Sequence, residues 1–396
     1  MSYLSCLGLT SPLLSSCLRL GASLLPLAGA TSLTGCRQIL GLPDRAFLDP
    51  DSTPDATGEV DALPDADAES PGPEFAPAPK HPPLGLVLPP QRAFLSWRNA
   101  EIPEGKSVFG YRVCYTTKPD DPSLCPNESI ETRTHRVIDS LTESVQYFWK
   151  VQACYDAASK DCSGFSALRT FSTDNSLLGW WRFDETTGTT ATDSGGGGNH
   201  GTLPNGASWS SGLVGNALQC DGNDYVLVGN KAALEGMKAL TLELFINTTS
   251  KSTGPAILSK WGTASGSYVV RLSGTDPGRI SLAVDTGAPV VVESSSLVNN
   301  GKWHYVVGTY DGALQNLYID LVLEASAPQS GFVAKSAHDF CLGMSCTGGA
   351  GVGTGFSGLI DDVSVYNTSL SPEVLLNHFC AVQAESGADP LPGNCQ

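Results

Sequence analysis

Residues 303–323, WHYVVGTYDGALQNLYIDLVL, constrain the fold of this chain more than any other stretch. Trp303, Tyr305 and Val307 alternate along a first strand, and Leu317 and Ile319 along a second. Between them lies Asp311-Gly312, a dipeptide that readily accepts positive φ, so the stretch reads as a β-hairpin. A hairpin is marginal alone in water, and its apolar face needs a second sheet to cover it. A layered β-structure is therefore expected around it. The 43 glycines, 26 prolines and 16% charged residues fit a turn-rich, all-β chain. Its 396 residues leave room for two or three domains.

The net charge of −17 is unevenly placed. Residues 1–43 carry +2, residues 44–79 carry −9, residues 80–174 are neutral and residues 175–396 carry −10. No segment forms a basic tract, which argues against nucleic acid as a partner and against a membrane bound by charge. Residues 1–35 are small and apolar, with Arg19 the only charge, and their apolar run has the length of a signal-peptide core. Leu33-Thr34-Gly35-Cys36 follows and resembles a bacterial lipobox, which implies acylation of Cys36 and a membrane contact through that anchor alone. Arg37 follows the cysteine, where an aspartate would signal inner-membrane retention, so a surface-exposed place on the outer membrane is expected. Residues 36–79 are rich in acidic residues, proline and alanine and read as a disordered tether.

Residues 80–174 resemble a fibronectin type III domain. Trp97 stands at the core position of its second strand, and Tyr111, Val113 and Tyr115 alternate as its C strand. Leu141 followed by Tyr147 resembles the tyrosine corner. In that framework Cys114 and Cys154 fall at opposite ends of antiparallel strands, too far apart to bridge. The expected pairs are therefore Cys114–Cys125 and Cys154–Cys162, which fit an oxidising compartment.

Residues 175–382 resemble the LamG-like, concanavalin A-like jellyroll family. The match is carried by LLGWWRFDETTGTTATDSGGGGNHGTL (177–203), GNALQCDGNDYVLV (215–228), the hairpin above and FSGLIDDVSVYNTSLSPEVLLNHF (356–379). The resemblance implies two antiparallel sheets face to face. Ser371-Pro372-Glu373 opens one short helix, with Ser as cap and Pro in the first turn. Residues 383–396 form a tail. The fold class expected is all-β, a fibronectin type III sandwich followed by a concanavalin A-like jellyroll. In the family the hairpin's second strand ends in aspartate-glycine. Here Asp320 precedes Leu321, so a wider or shifted turn is expected. Cys341 is paired with Cys346 and Cys380 with Cys395, which leaves Cys220 as a buried free thiol replacing an aromatic.

No strand carries the alternating acidic residues of catalytic members of this fold, Glu243 stands alone, and no HExxH or G-x-S-x-G appears. The chain is therefore expected not to be an enzyme. A structural calcium is the site hypothesis. Asp361 shares a phase with core-facing Val363 and Val365, Asp184 ends a neighbouring strand, and the loop Asp193 to Asn199 offers further oxygens. The competing reading has Asp361 accept N–H bonds from that loop. Trp261 and Tyr268 are the candidate ligand-binding aromatics, whereas Trp209 matches a family position and reads as packing. The partner expected is an extracellular glycan or a surface protein. The alternatives are a structural or adhesive envelope component, or an accessory subunit delivering an enzyme.

Overall fold

The computed structural model describes residues 76–99, 101–118, 130–262, 265–388 and 391–396. The signal segment, Cys36, residues 37–75 of the tether and Cys125 lie outside the described residues, whereas residues 76–79, expected to end the tether, are described, and Ala78 and Pro79 belong to the strand Ala78–His81.

Residues 78–173 form a two-sheet sandwich. One sheet orders Ala78–His81, Arg92–Arg98 and His135–Asp139. The other orders Leu86–Leu88, Arg169–Thr173, Gln146–Cys154, Gly110–Thr116 and Ile130–Glu131. Leu95, Trp97, Val113, Trp149, Val151 and Phe171 fill the space between them. The Tyr147 hydroxyl accepts the Thr142 N–H at 2.8 Å, tying the loop to the strand that follows it. Cys154 is bridged to Cys162, and Cys114 is also disulfide-bonded.

Residues 177–366 form a second sandwich. Sheet one runs Ser208–Ser211, Asn216–Asp221, Ser357–Tyr366, Leu240–Asn247, Trp303–Tyr310, Leu314–Ile319 and Val322–Pro328, with Leu177–Trp181 paired on Ser357–Tyr366. Sheet two runs Thr190–Ala191, Gly201–Thr202, Val226–Gly229, Phe340–Leu342, Ala256–Trp261, Gly266–Leu272, Ile280–Asp285 and Pro289–Glu293. Their facing side chains, among them Leu242, Leu244, Val270, Leu282, Val306, Leu317 and Val363, form one apolar core. A 14-residue helix, α1 (Pro372–Glu385), follows, and the Ser371 side chain accepts the Val374 N–H at its start. Cys341–Cys346 and Cys380–Cys395 are bridged, and Cys220 is a buried free cysteine.

Three expectations are corrected here. The hairpin is apolar on both faces. Val306, Tyr310, Leu317 and Ile319 enter the jellyroll core, while Tyr305 and Val307 point the other way. The turn after its second strand is tight rather than wide, because Ile319 pairs with Val322. Asp320 and Leu321 both adopt positive φ, 51° and 69°, the geometry of a two-residue I′ turn. Finally, Asp362 has φ 48° and the ladder slips beside it. That bulge puts both Ile360 and Val363 into the core, so Asp361 loses the phase of Val363 and faces out of the sandwich.

Candidate functional site

Each jellyroll sheet has an outer face, and the two fare differently. The outer face of sheet one is covered by this chain itself. Trp180, Phe245, Tyr305, Val307 and Tyr366 pack in one cluster with Leu88, Val374, Leu375 and Val382. Phe94 of the first sandwich packs on Cys380, Ala381 and Ala384 of α1. The Asn377 side chain accepts from Phe94 N at 3.0 Å and donates to its carbonyl at 2.9 Å, so helix and strand are stitched by both groups of one residue.

Polar groups are sealed in the same junction. The Arg92 guanidinium donates to both oxygens of Asp362, at 2.8 and 3.2 Å, lies over the Trp180 ring, and comes within 3.4 Å of Asp139 and Glu385. Trp180 Nε1 donates to Asp362 at 2.8 Å. Burial holds the Glu385 carboxyl up to about 7 despite the Arg92 charge. The Glu243 carboxylate, fully buried, accepts from the Tyr305 and Tyr366 hydroxyls and lies 3.1 Å from His378 Nδ1. Burial alone would push Glu243 up, but the His378 charge and these hydrogen bonds outweigh it and hold the carboxyl below its ordinary value. Glu243, Asp362 and His378 line a cavity of about 20 Å³, room for one water and for no sugar ring. This acid-rich cluster is a structural seam.

Among the described residues, sheet two has no such cover from the first sandwich. At its rim, three connections enclose a cleft of about 400 Å³ lined by Ser265, Gly266, Asp285, Lys335, Ser336 and His338, among others. Asp285 ends its strand and is fixed by the Gly287 N–H at 2.8 Å. Ser336 meets Ser267 Oγ at 3.0 Å, and His338 Nδ1 lies 3.1 Å from Thr347 Oγ1. A Cβ at Gly262 would stand 2.3 Å from the His338 ring, so a larger residue there would displace that side chain. Behind the cleft, Lys260 is wholly buried and donates to Asn230 Oδ1 at 2.6 Å and to the His338 carbonyl at 2.7 Å. The floor and the 334–338 segment are thereby joined. Sequence reasoning missed this cleft, because its lining comes from three loops that carry no shared motif.

The candidate aromatics are not presented to a ligand, and that expectation is corrected. Tyr268 is fully buried in the core and donates to the Leu234 carbonyl, while Trp261 is 6% exposed and packs on Ala256, Val269 and Ala283. Trp209 stacks on Phe183.

The four candidate calcium ligands do not converge. Asp193 caps its own loop, taking N–H bonds from Trp180, Gly195 and Asn199, and Asn199 donates to the Leu178 carbonyl. Asp184 pairs with Arg182 at 2.9 Å. Asp361 accepts from Leu213 and Val214, not from the glycine-rich loop, and its Oδ1 is buried without a partner. Among the described residues, no group of three or more His, Cys, Asp or Glu could hold a metal ion. The donor set does not fit one shared calcium. Burial and the adjacent Asp362 charge push Asp361 up to about 8, against the two N–H bonds that favour its anion.

These features define a β-sandwich of the concanavalin A-like class. Residues 221–375 match the family model described as the concanavalin A-like lectin/glucanases superfamily, and this segment is a domain of that kind. No curated protein matches the chain. Among solved structures, domain 4 of an extracellular arabinanase from Geobacillus stearothermophilus, in complex with arabinotriose, is similar at 18% identity and TM-score 0.42, over 53% of this chain and 98% of that one. The binding domain of botulinum neurotoxin serotype D/C VPI 5993 is similar at 15% identity and TM-score 0.39, over 52% of each chain. The Ruminococcus gnavus IT-sialidase CBM40 bound to α2,3-sialyllactose is similar at 15% identity and TM-score 0.33, over 41% of this chain and 96% of that one.

Proposed function

We propose that this chain is a cell-surface lipoprotein whose jellyroll recognises an extracellular glycan or surface protein without catalysis, through the rim cleft of sheet two. The observation that carries the reading is the asymmetry of the sandwich. One outer face is sealed by the first module and α1, while the other keeps a cleft within the usual size of a ligand site. Asp285 offers an acceptor, and Lys335, Ser336 and His338 offer donors, an arrangement suited to the vicinal hydroxyls of a sugar. Hydrolysis of a glycan needs two carboxyl groups roughly 5 to 9.5 Å apart. Asp285 is the one carboxylate among the described lining residues, which supports recognition over cleavage. The sheet order of residues 78–173 supports the fibronectin type III reading, and the Leu33–Cys36 motif supports the lipid anchor.

A glycan array probed with the full chain, with and without calcium, tests the reading. Bound glycans should be lost with Asp285→Asn and weakened with Lys335→Ala, and no product should accumulate. Binding that survives both substitutions, or a shortened glycan, would reject it.

A further inference from the structure

Lys260 is the one fully buried lysine among the described residues, a rare place for a charge. In the strand Ala256–Trp261 it stands opposite Tyr268, whose ring lies in the jellyroll core. A lysine on that side of a sheet loses its water. Burial pushes the amine down from its ordinary value, against the opposing charges of Glu235 and Asp339. The neutral amine so favoured is a nucleophile.

Three groups converge on its nitrogen. Nζ lies 2.6 Å from Asn230 Oδ1, 2.7 Å from the His338 carbonyl and 3.2 Å from Glu235 Oε2. Asn230 follows the strand Val226–Gly229, where Gly229 at φ 88° turns the chain. Glu235 follows the single 3₁₀ turn Ala232–Leu234 and is held by the Ser336 N–H at 3.0 Å. A C=O bond is about 1.2 Å long, so the Asn230 carboxamide carbon stands at most about 3.8 Å from Nζ. Near-attack contact is roughly 3–3.5 Å, one small side-chain shift away. A salt bridge needs only Lys260 and Glu235. The carboxamide at this range adds an electrophile, so nucleophile, electrophile and proton carrier meet at one point.

We infer that Lys260 and Asn230 join in an intramolecular isopeptide bond, with Glu235 carrying the proton between them. Glu235 takes a proton from the Lys260 ammonium. The freed lone pair attacks Asn230 Cγ, the Nζ–Cγ bond forms, and the carbonyl electron pair moves to Oδ1. Glu235 passes its proton to Nδ2 and takes the second one released by Nζ. The carbonyl re-forms, and the Cγ–Nδ2 bond breaks with its electron pair leaving on nitrogen. The ammonia takes up the last proton as ammonium, and Glu235 is a carboxylate again. An amine and a carboxamide thus become a secondary amide and ammonia, with nothing oxidised or reduced. Asn230 as a whole is exposed, which gives the ammonia a way out. The bond laces Val226–Gly229 to Ala256–Trp261 across Phe340–Leu342, which lies between them in sheet two. It forms whether or not the neighbouring cleft takes a glycan.

Peptide mass spectrometry on the full chain, folded first and then reduced, denatured and digested with trypsin, tests the inference. Peptides 183–231 and 252–271 should appear joined, lighter than their sum by one ammonia and one water for each missing cleavage, with no cut after Lys260. Asn230→Ala changes an exposed side chain and should release them as separate peptides. Glu235→Gln keeps an acceptor for the Ser336 N–H and should leave them unjoined, while circular dichroism matches that of the parent protein. Separate peptides from the parent protein, with Asn230 intact and cleavage after Lys260, would overturn the inference. Joined peptides in Asn230→Ala, or full joining in Glu235→Gln, would overturn it as well.

Discussion

Replacing Asp361 with Asn tests how the bulge in the Ser357–Tyr366 strand stores charge. The carboxyl is 1% exposed, beside Asp362, and rises from an ordinary 3.8 to about 8 on folding. A raised acid in the folded state disfavours folding wherever the unfolded chain has already lost its proton. Below pH 4 the group is protonated in both states and contributes nothing. Between pH 4 and 8 the unfolded chain binds fewer protons than the folded one, so stability falls as pH rises, and above 8 the loss is complete. At about 1.4 kcal/mol per unit the gap sets an upper limit near 6 kcal/mol, and sharing of charge with Asp362 and local relaxation reduce it to about 2–3 kcal/mol. Asn keeps an acceptor for Leu213 and Val214 N–H and removes the charge. Asp361→Asn should therefore match the parent protein at pH 4 and gain progressively to a plateau above pH 8. For a protein of this size the gain corresponds to a rise in Tm of about 2–4 °C. Urea unfolding from pH 4 to 9 in chelator measures it. A flat or negative difference would refute the reasoning. A loss of stability seen only with added calcium would mean that the carboxylate is ionised against a cation.

Three further outcomes follow from the described contacts. Arg92→Ala strands Asp362 in the seam and should cost about 3–5 kcal/mol, whereas Asp362→Asn in that background should recover part of the loss; chemical denaturation of the single and double variants checks both. Replacing Cys380 and Cys395 with serine opens a 15-residue loop and should lower stability by about 3 kcal/mol, with faster hydrogen exchange over residues 386–396. Ser371→Ala removes the α1 cap and should cost about 1 kcal/mol by the same denaturation assay.

Much of the fold was legible in the residues. The alternation along the 303–319 hairpin, the turn at Asp311-Gly312 and the Ser371 cap are local signals, and local hydrogen bonding obeys them. The faces were harder to read. Tyr305 and Val307 have the same alternation whether they face the sandwich core or another module, and only the sheet order distinguishes the two. Asp361 misled for a similar reason, since one bulged residue reverses every later phase, and a bulge at an aspartate leaves no pattern. Trp261 and Tyr268 are flanked by Gly, Ser and Thr, a composition shared by exposed loops and by tightly folded strand ends.

The stitch between Phe94 and Asn377 joins residues 283 positions apart, and the contact of Gln91 with Ser364 spans 273. One flank of the first module therefore stays wet until almost everything after it has been synthesised. Until α1 is made, that half-finished flank presents the ring of Phe94 to any other emerging strand, and pairing with a neighbouring copy competes with waiting for α1. Slow synthesis of the last hundred residues should accordingly favour tangled products over the finished molecule.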